Sequence, residues 1–189
     1  MNLSKRIFDL VITIPIGLLL IVPMILVAIY IKMSSRGPIL YWSDRVGREN
    51  HIFSMPKFRS MQIGTPALAT HLLDRPDQYL TSVGKVLRRT SLDELPQIWS
   101  IFKGDMSLVG PRPALFNQDD LIQLRTERGI HHLVPGLTGW AQINGRDELS
   151  IPEKVKLDEE YLNRRSILLD IKILGATFFG VLAGNGISH

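Results

Sequence analysis

An uncharged apolar run near the N-terminus constrains this chain more than any other feature. The run from Leu10 to Ile31 contains 22 residues and no charged side chain. At ~1.5 Å per residue, a helix of this length reaches roughly 33 Å, which is enough to cross a bilayer core of ~30 Å. A cleavable signal peptide is disfavoured, because the run is too long and no cleavage site of small residues closes it. The run therefore predicts a helix embedded in a membrane.

Prolines and flanking charges predict how this helix meets the membrane. Pro15 and Pro23 lie inside the run. Proline lacks an amide donor and collides with the carbonyl four residues back, so Pro23 predicts a kink near the middle of the bilayer. Lys5 and Arg6 precede the run and Lys32 follows it, and basic flanks favour the cytoplasmic face. We expect a helix that enters, breaks at Pro23 and returns to the same face, with a kinked helix that crosses the membrane as the open alternative.

Composition excludes several classes of protein. Cysteine is absent from the 189 residues, which excludes a disulfide scaffold, a thiol nucleophile and a thiolate metal site. The net charge of +4 divides into +7 for residues 1–92 and −3 for residues 93–189, and a basic N-terminal part favours anionic lipid headgroups. The sequence has no glycine-rich Walker loop, dinucleotide fingerprint or nucleophile elbow. Its five histidines lack the spacing of a helical metal pair, and no aromatic residues alternate with basic ones as a nucleic-acid platform requires.

The pattern beyond the apolar run predicts an α+β fold that is mostly helical. We expect a membrane helix and linker over residues 1–36, followed by a compact cytosolic catalytic domain over residues 37–189. Strand-like stretches at 39–42 and 51–61 predict a small β-hairpin, and Pro56 indicates an edge strand. Helices are predicted at 92–103, 117–129, 152–163 and 167–182, with ordered loops at 104–113 and 135–147. The last helix is amphipathic, so it is expected to lie on the bilayer or on the core.

Two adjacent acidic residues follow two arginines at a predicted helix start. Ser91 and Glu94 have the spacing of a capping box, which would give the acidic residues a purely structural role. The alternative is a chemical role for Asp93 and Glu94 beside Arg88. Carboxylates supply hard oxygen ligands for a magnesium ion, and arginine forks bind phosphate oxygens in pairs.

Further basic residues are candidates for binding phosphate. They are Lys57, Arg59, Arg112 and Arg146. A solvated surface explains any one of these side chains without a ligand. Arg112 differs because it lies between two prolines that restrict its backbone, and a charge that only improves solubility does not need this rigidity.

Four motifs identify a family resemblance. They are KFRSM at 57–61, SLDELPQ at 91–97, KGDMSLVGPRP at 103–113 and PGLTGWAQINGR at 135–146. Together they resemble the bacterial sugar transferases, the monotopic phosphoglycosyl transferases. The resemblance covers essentially the whole chain, and its length is similar to that of the minimal form of the family.

The resemblance implies an activity and a location. A phosphoglycosyl transferase moves a sugar-1-phosphate from a UDP-sugar to a polyprenol phosphate such as undecaprenyl phosphate and releases UMP, the first membrane step of polysaccharide or glycoconjugate synthesis. The family uses Mg²⁺ and a covalent intermediate on the aspartate of an Asp-Glu dyad, here Asp93 and Glu94, which would also hold the metal. Lys57, Arg59, Arg88, Arg112 and Arg146 would bind the phosphates or the nucleotide. The enzymes are monotopic on the cytoplasmic leaflet of the bacterial inner membrane.

The sequence departs from the family at two places and leaves alternatives open. Val22 precedes Pro23 where typical members have serine, so one contribution to the helix break is missing, and Met55-Pro56 before Lys57 is also atypical. The expected partners are a UDP-sugar, undecaprenyl phosphate and membrane lipids, with a homodimer left open and no nucleic acid. Direct transfer in a ternary complex, or a membrane-tethered adaptor that binds nucleotide or phosphate without turnover, remain alternatives. The sugar cannot be identified from the sequence.

Overall fold

The chain is described by a computed structural model that covers residues 2–66, 68, 75–145 and 149–182. Its strands are β1 Leu40–Val46, β2 Ile52–Phe58, β3 Ser107–Val109 and β4 Gly136–Thr138. Its helices are α1 Leu3–Ser34, α2 Ser82–Arg89, α3 Ile98–Lys103, α4 Asp119–Glu127, α5 Trp140–Ile143, α6 Ile151–Arg164 and α7 Ile167–Leu182. Short 3-10 turns cover Arg48–Asn50, Pro76–Tyr79, Leu92–Gln97 and Ile130–His132. The predicted mostly helical fold is confirmed.

β1 and β2 form the predicted hairpin. The strands are antiparallel, with Tyr41 opposite Lys57 and Arg45 opposite Phe53. Facing residues of an antiparallel pair lie on the same side of the ribbon, and steps of two residues keep to that side. Arg45 and Lys57 therefore share one face. Pro56 is tolerated because each strand of a two-stranded ribbon has a free edge.

β3 and β4 form a short parallel pair inside the two segments that were predicted as loops. Each strand has three residues, which is too few to show an alternating pattern, so the prediction missed them. The amide of Gly110, directly after β3, donates to the carbonyl of Thr138 at 2.9 Å. A Cβ at Gly110 would lie 2.4 Å from the carbonyl oxygen of Val134. The close approach of the two backbones therefore requires glycine at this position.

α1 is a 32-residue helix whose assignment continues through Pro15 and Pro23. It is long and apolar enough to cross a membrane by length and composition, and among the described residues it is the one helix that meets both criteria. Much of its surface is exposed and apolar, including Leu18, Leu19 and Val22. This finding fits the predicted membrane-embedded helix. That α1 enters the membrane and returns to the same face at Pro23 stays a prediction.

Both ends of α1 contact the same globular body. Near its start, Arg6 donates to the carbonyls of Ile101 and Phe102 at the end of α3. Near its end, Ile31 is 1% exposed and packs with Phe58, Val83 and Leu87, so α1 rests on the hairpin and on α2. Burial of such a side chain contributes about 1.5–3 kcal/mol.

α7 has the predicted bounds and the predicted amphipathic character. Leu169 and Ile173 belong to the main core cluster, whereas Leu168, Ile171 and Phe178 are exposed. The spacing of three and four residues separates the two faces. One face of α7 is therefore part of the core, and the location of the other face on a bilayer stays a prediction.

Candidate active site

A residue with left-handed backbone introduces the turn that carries the two adjacent carboxylates. Ser91 has φ of 55°, a conformation that is uncommon outside glycine, and its side chain makes no capping hydrogen bond. Residues Leu92–Gln97 then form a 3-10 turn that includes Pro96, and the α-helix begins only at Ile98. The prediction of one α-helix over 92–103 is therefore only partly right, and its capping box of Ser91 and Glu94 is wrong.

Glu94 is held by two cations. Its Oε1 lies 2.9 Å from Lys57 Nζ and 2.8 Å from Arg112 Nη2. Burial by itself would raise the pKa of Glu94, but Arg112 and Lys57 hold this pKa well below its usual range. Burial also lowers the pKa of Lys57, and the charge of Glu94 opposes that change. Glu94 is therefore an ionised carboxylate with one fixed oxygen.

Asp93 lies beside this pair but is not part of it. Its side chain is buried, with 7% exposure, and within the described part of the chain no hydrogen bond or ion pair reaches its carboxylate. Burial raises the pKa of Asp93, and the charges of Lys57, Arg88 and Arg112 oppose the increase. Its oxygens thus keep their lone pairs in positively charged surroundings.

Arg88 reaches the same place from the last turn of α2. Its Nε donates to Ser60 Oγ at 3.1 Å, and its Nη2 contacts Met61 Sδ at 3.3 Å. The guanidinium lies close enough to Asp93 for its charge to lower the pKa of that carboxyl group. Arg88 therefore adds a positive charge near Asp93, where the charge of Lys57 has a larger effect while its ammonium also binds Glu94.

Arg45 also belongs to the site, and sequence analysis missed it. Its Nε donates to Ser43 Oγ at 3.0 Å and its Nη1 to the carbonyl of Pro113 at 3.2 Å. Burial and then the charge of Arg112 lower the pKa of Arg45 to about 10, while Glu94 opposes the change. The signal that could have found Arg45 is its place on the same hairpin face as Lys57, but that requires the register of the two strands.

The structure does not bring Arg59 into this cluster. Arg59 is 6% exposed and lies under the end of α1. Its Nη1 donates to the carbonyl of Arg36 at 2.8 Å and its Nη2 to Ser35 Oγ at 2.8 Å. Its observed contacts thus hold the segment that follows α1. Arg146 lies outside the described residues, so its predicted role in phosphate binding stays a prediction.

A second group of ligand-type side chains does not include these two carboxylates. Ligand atoms of Glu49, His131 and His132 fall within 4.8 Å of one another, a spatial grouping that helical spacing could not reveal. His132 Nδ1 lies 2.9 Å from Glu49 Oε2, and the hydrogen bond with His132 lowers the pKa of Glu49. This bond explains the close approach of Glu49 and His132 without a metal ion.

The chain matches the family model of the bacterial sugar transferases over residues 1–184. It is 42% identical over 188 residues to the undecaprenyl-phosphate glucose phosphotransferase of Komagataeibacter xylinus, covering 93% of this chain and 35% of that protein. It is 40% identical over 185 residues to the UDP-glucose:undecaprenyl-phosphate glucose-1-phosphate transferase of Escherichia coli (strain K12), covering 94% and 40%. An uncharacterized sugar transferase of Bacillus subtilis (strain 168), EpsL, is 38% identical over 188 residues, covering 98% and 90%.

These matches confirm the resemblance that the four motifs indicated. The chain spans well under half the length of the first two relatives and nearly the whole length of the third. Since the family model extends over nearly all of the sequence, this chain belongs to the bacterial sugar transferase family.

Proposed function

We propose that this chain transfers a sugar-1-phosphate from a UDP-sugar to undecaprenyl phosphate and releases UMP. The names of the Komagataeibacter and Escherichia relatives include the lipid acceptor, and the name of the second relative also includes a UDP-sugar donor. The single observation that carries the proposal is the difference between the two adjacent carboxylates. Glu94 is held by Lys57 and Arg112, whereas Asp93 is buried among cations without a described partner. A buried carboxylate without a hydrogen-bond partner costs stability, and this cost fits a group whose oxygen reacts with the substrate.

In the first half-reaction, Asp93 acts as the nucleophile. One of its carboxylate oxygens attacks the sugar-bearing phosphorus of the donor and forms a new oxygen–phosphorus bond. The bond from that phosphorus to the nucleotide breaks, and UMP leaves with the electron pair. Arg88 and Arg112 stabilise the negative charge on the transferring phosphoryl group. The product on the protein is an aspartyl phospho-sugar.

In the second half-reaction, an oxygen of undecaprenyl phosphate attacks the same phosphorus, and Asp93 leaves as a carboxylate. A phosphate nucleophile is already ionised near neutral pH, so this step needs no strong base. Glu94 therefore orients Lys57 and Arg112 and does not abstract a proton. The products are undecaprenyl diphosphate-sugar and the free enzyme.

The two carboxylates fit Mg²⁺ as ligands. Both cation contacts of Glu94 go to Oε1, so within the described residues its Oε2 is available together with Asp93. Mg²⁺ prefers oxygen ligands and often binds one or two carboxylates plus substrate phosphates. When bound, the ion neutralises phosphate oxygens of the donor and so reduces the repulsion between two anions.

The location proposed for the site is the cytoplasmic leaflet of the inner membrane. Both ends of α1 contact one globular body, and its apolar surface is exposed between them. A straight crossing would separate the two ends by the thickness of the bilayer, which is hard to reconcile with these contacts. A helix that enters and returns keeps both ends, and the site, at the boundary where a lipid substrate meets a cytosolic one.

Covalent labelling tests the nucleophile. Purified protein is incubated with Mg²⁺ and UDP-sugars that carry a radiolabelled sugar, beginning with UDP-glucose, in the absence of the lipid acceptor. We expect label on the wild-type protein, none on D93N, and full labelling of the control D44N, since Asp44 is an exposed carboxylate of the hairpin. Turnover without label, together with intersecting double-reciprocal plots, would favour direct transfer in a ternary complex. No UMP release with any UDP-sugar would favour an adaptor without activity.

Thiol accessibility tests the topology. The sequence contains no cysteine, so S4C and S35C each introduce one thiol without background at the two ends of α1. We expect both thiols to react with a membrane-impermeant maleimide only after the cells are opened. Reaction of S4C in intact spheroplasts would place that end in the periplasm and contradict the re-entrant topology.

A further inference from the structure

The loop that carries Arg112 is held through its carbonyl groups. We call residues 111–113 the PRP loop. The carbonyl of Pro111 accepts from the Gly136 amide at 2.9 Å, and that of Arg112 accepts from Arg125 Nη1 at 2.8 Å. The carbonyl of Pro113 accepts from Arg45 as described above. The two prolines have no N–H to donate, so these three external donors define the path of the loop.

Arg125 is itself held in one orientation. Its Nε and Nη2 lie 3.0 and 2.7 Å from Oδ2 of Asp158 on α6. The side chain of Arg125 is 12% exposed and that of Asp158 only 2%. A planar guanidinium that uses one edge for a carboxylate can direct its remaining N–H groups only along fixed lines. The contact from Arg125 to the Arg112 carbonyl is therefore set by Asp158.

The same loop supplies a contact of the proposed catalytic site. Arg112 Nη2 lies 2.8 Å from Glu94 Oε1, next to Asp93. A series of contacts thus runs from Asp158 through Arg125 and the Arg112 backbone to Glu94. We propose that Arg125 is a positioning residue, which fixes the Arg112 carbonyl and so sets the direction from which the Arg112 side chain reaches Glu94. The inference rests on the proposed function, because positioning matters only where the site is catalytic.

A second ion pair offers a matched control. Arg128, the residue directly after α4, and Glu159 on α6 also link the end of α4 to α6, and their side chains are 49% and 34% exposed. Within the described part of the chain, Arg128 makes no hydrogen bond or ion pair with the PRP loop. If Arg125 only tied α4 to α6, R125K would lower the unfolding free energy more than a change at the exposed pair, but kcat per folded molecule would stay unchanged in both variants.

The decisive experiment measures turnover of the full-length chain for R125K, R128K, R112K and the double variant R125K/R112K. Lysine keeps the charge but lacks the planar fork, so it cannot bind Asp158 and the Arg112 carbonyl with the same geometry. Displacement of a catalytic group by about 1 Å can cost about 100-fold. We expect kcat of R125K to fall about 10- to 100-fold with little change in the KM for the UDP-sugar, and that of R128K to stay within about twofold. When Arg112 is already lysine, the addition of R125K should lower kcat little further, because both changes act through the side chain at position 112.

Three outcomes overturn the inference. They are wild-type kcat in R125K, an equal loss in R128K, and independent losses that multiply in the double variant. D158N provides a second route if R125K does not fold, since it weakens the hold on Arg125 with little change of shape, and wild-type kcat in folded D158N also overturns the inference.

Amide hydrogen exchange separates this inference from the proposed function. If Arg125 holds the loop, R125K increases exchange at the amide of Gly136, which donates to Pro111, and R128K does not. This readout remains valid if the wild-type chain turns over no UDP-sugar. Absence of turnover in the wild-type chain would contradict the proposed function only. Unchanged exchange at Gly136 in R125K would contradict the role of Arg125 in holding the PRP loop.

Discussion

Two regions of this molecule bury acidic side chains in opposite ways. Where α1 joins the core, Asp9 accepts from Lys5 Nζ at 2.9 Å, from Ser107 Oγ at 2.7 Å and from the Leu108 amide at 3.3 Å. In the candidate site, Asp93 accepts nothing from the described residues. Hydrogen bonds to a charged group contribute about 1.5–3 kcal/mol each, and an unpaired buried charge is costly. The carboxylate of Asp9, with its three hydrogen bonds, therefore stabilises the fold, whereas the carboxylate of Asp93 is available for a reaction.

The saturated region is a network that holds α1 to α7. Asp170, which is 2% exposed, binds Lys5 Nζ at 2.9 Å and accepts from the hydroxyl of Tyr161 at 2.8 Å. Burial and the charge of Asp170 raise the pKa of Tyr161, so this hydroxyl keeps its proton and donates it. Lys5 thus connects Asp9 and Asp170 across two helices, and the start of the apolar helix is tied to the core through charges.

The largest expected effect separates activity from stability at Asp93. D93N should reduce kcat at least about 10³-fold, as losses of catalytic nucleophiles do. The same change removes a buried charge that has no described partner, so the thermal midpoint measured at pH 7 without Mg²⁺ and donor should rise. A clear fall of the midpoint would show that Asp93 is a structural carboxylate like Asp9.

The second-largest effect concerns Asp9, where we expect a loss of stability and not of activity. D9N should cost about 3 kcal/mol, because the neutral amide weakens three hydrogen bonds in a buried network. For a chain of this size that corresponds to a fall of about 6–12 °C in the thermal midpoint. Activity per folded molecule should remain within a factor of about three, since the hydrogen bonds of Asp9 go to Lys5, Ser107 and Leu108 and to none of the described site residues. A D9N protein that is stable but inactive would contradict the purely structural role of Asp9.

Glu94 has features of both the structural carboxylate of Asp9 and the reactive carboxylate of Asp93. It lies next to the nucleophile, yet its Oε1 is saturated by Lys57 and Arg112. E94Q should therefore lower both quantities: the unfolding free energy by about 2 kcal/mol, since Lys57 loses a partly buried partner, and kcat by at least about tenfold, since Arg112 loses its anchor. Thermal melts and initial rates on the same preparation measure both effects. A fall in stability alone would make Glu94 a structural carboxylate like Asp9, and a fall in kcat alone would make it a functional carboxylate like Asp93.

The smallest effect is a dependence on pH. Burial raises the pKa of Asp93 in the folded protein, so folding favours the protonated acid, and the ionised acid at neutral pH carries a penalty. This penalty disappears as the pH falls through the raised pKa toward the ordinary value of about 4. The stability advantage of D93N over wild type should therefore be present at pH 7 and vanish in acid. A difference that grows on acidification would mean that the pKa of Asp93 is lowered.

Local patterns predicted a large part of the fold. The apolar run, the hairpin and the bounds of α7 follow from hydrophobic periodicity, which depends on residues near one another in sequence. Gly104 ends α3 with φ of 93°, as a glycine stop predicts. β3 and β4 were missed because strands of three residues carry no periodicity, and the capping box was wrong because Glu94 finds its partners elsewhere in the chain.

Sequence patterns alone were enough to identify the family, the long apolar helix and the set of charged residues that could act together. Only the tertiary structure decided which charge meets which. It joined Glu94 to Lys57 and Arg112, which lie 37 and 18 residues away in sequence, and it directed Arg59 to the end of α1. It added Arg45 through the register of the hairpin. The physical reason is that a helix or a strand depends on neighbouring residues, whereas the partner of a buried charge depends on segments that only folding brings together.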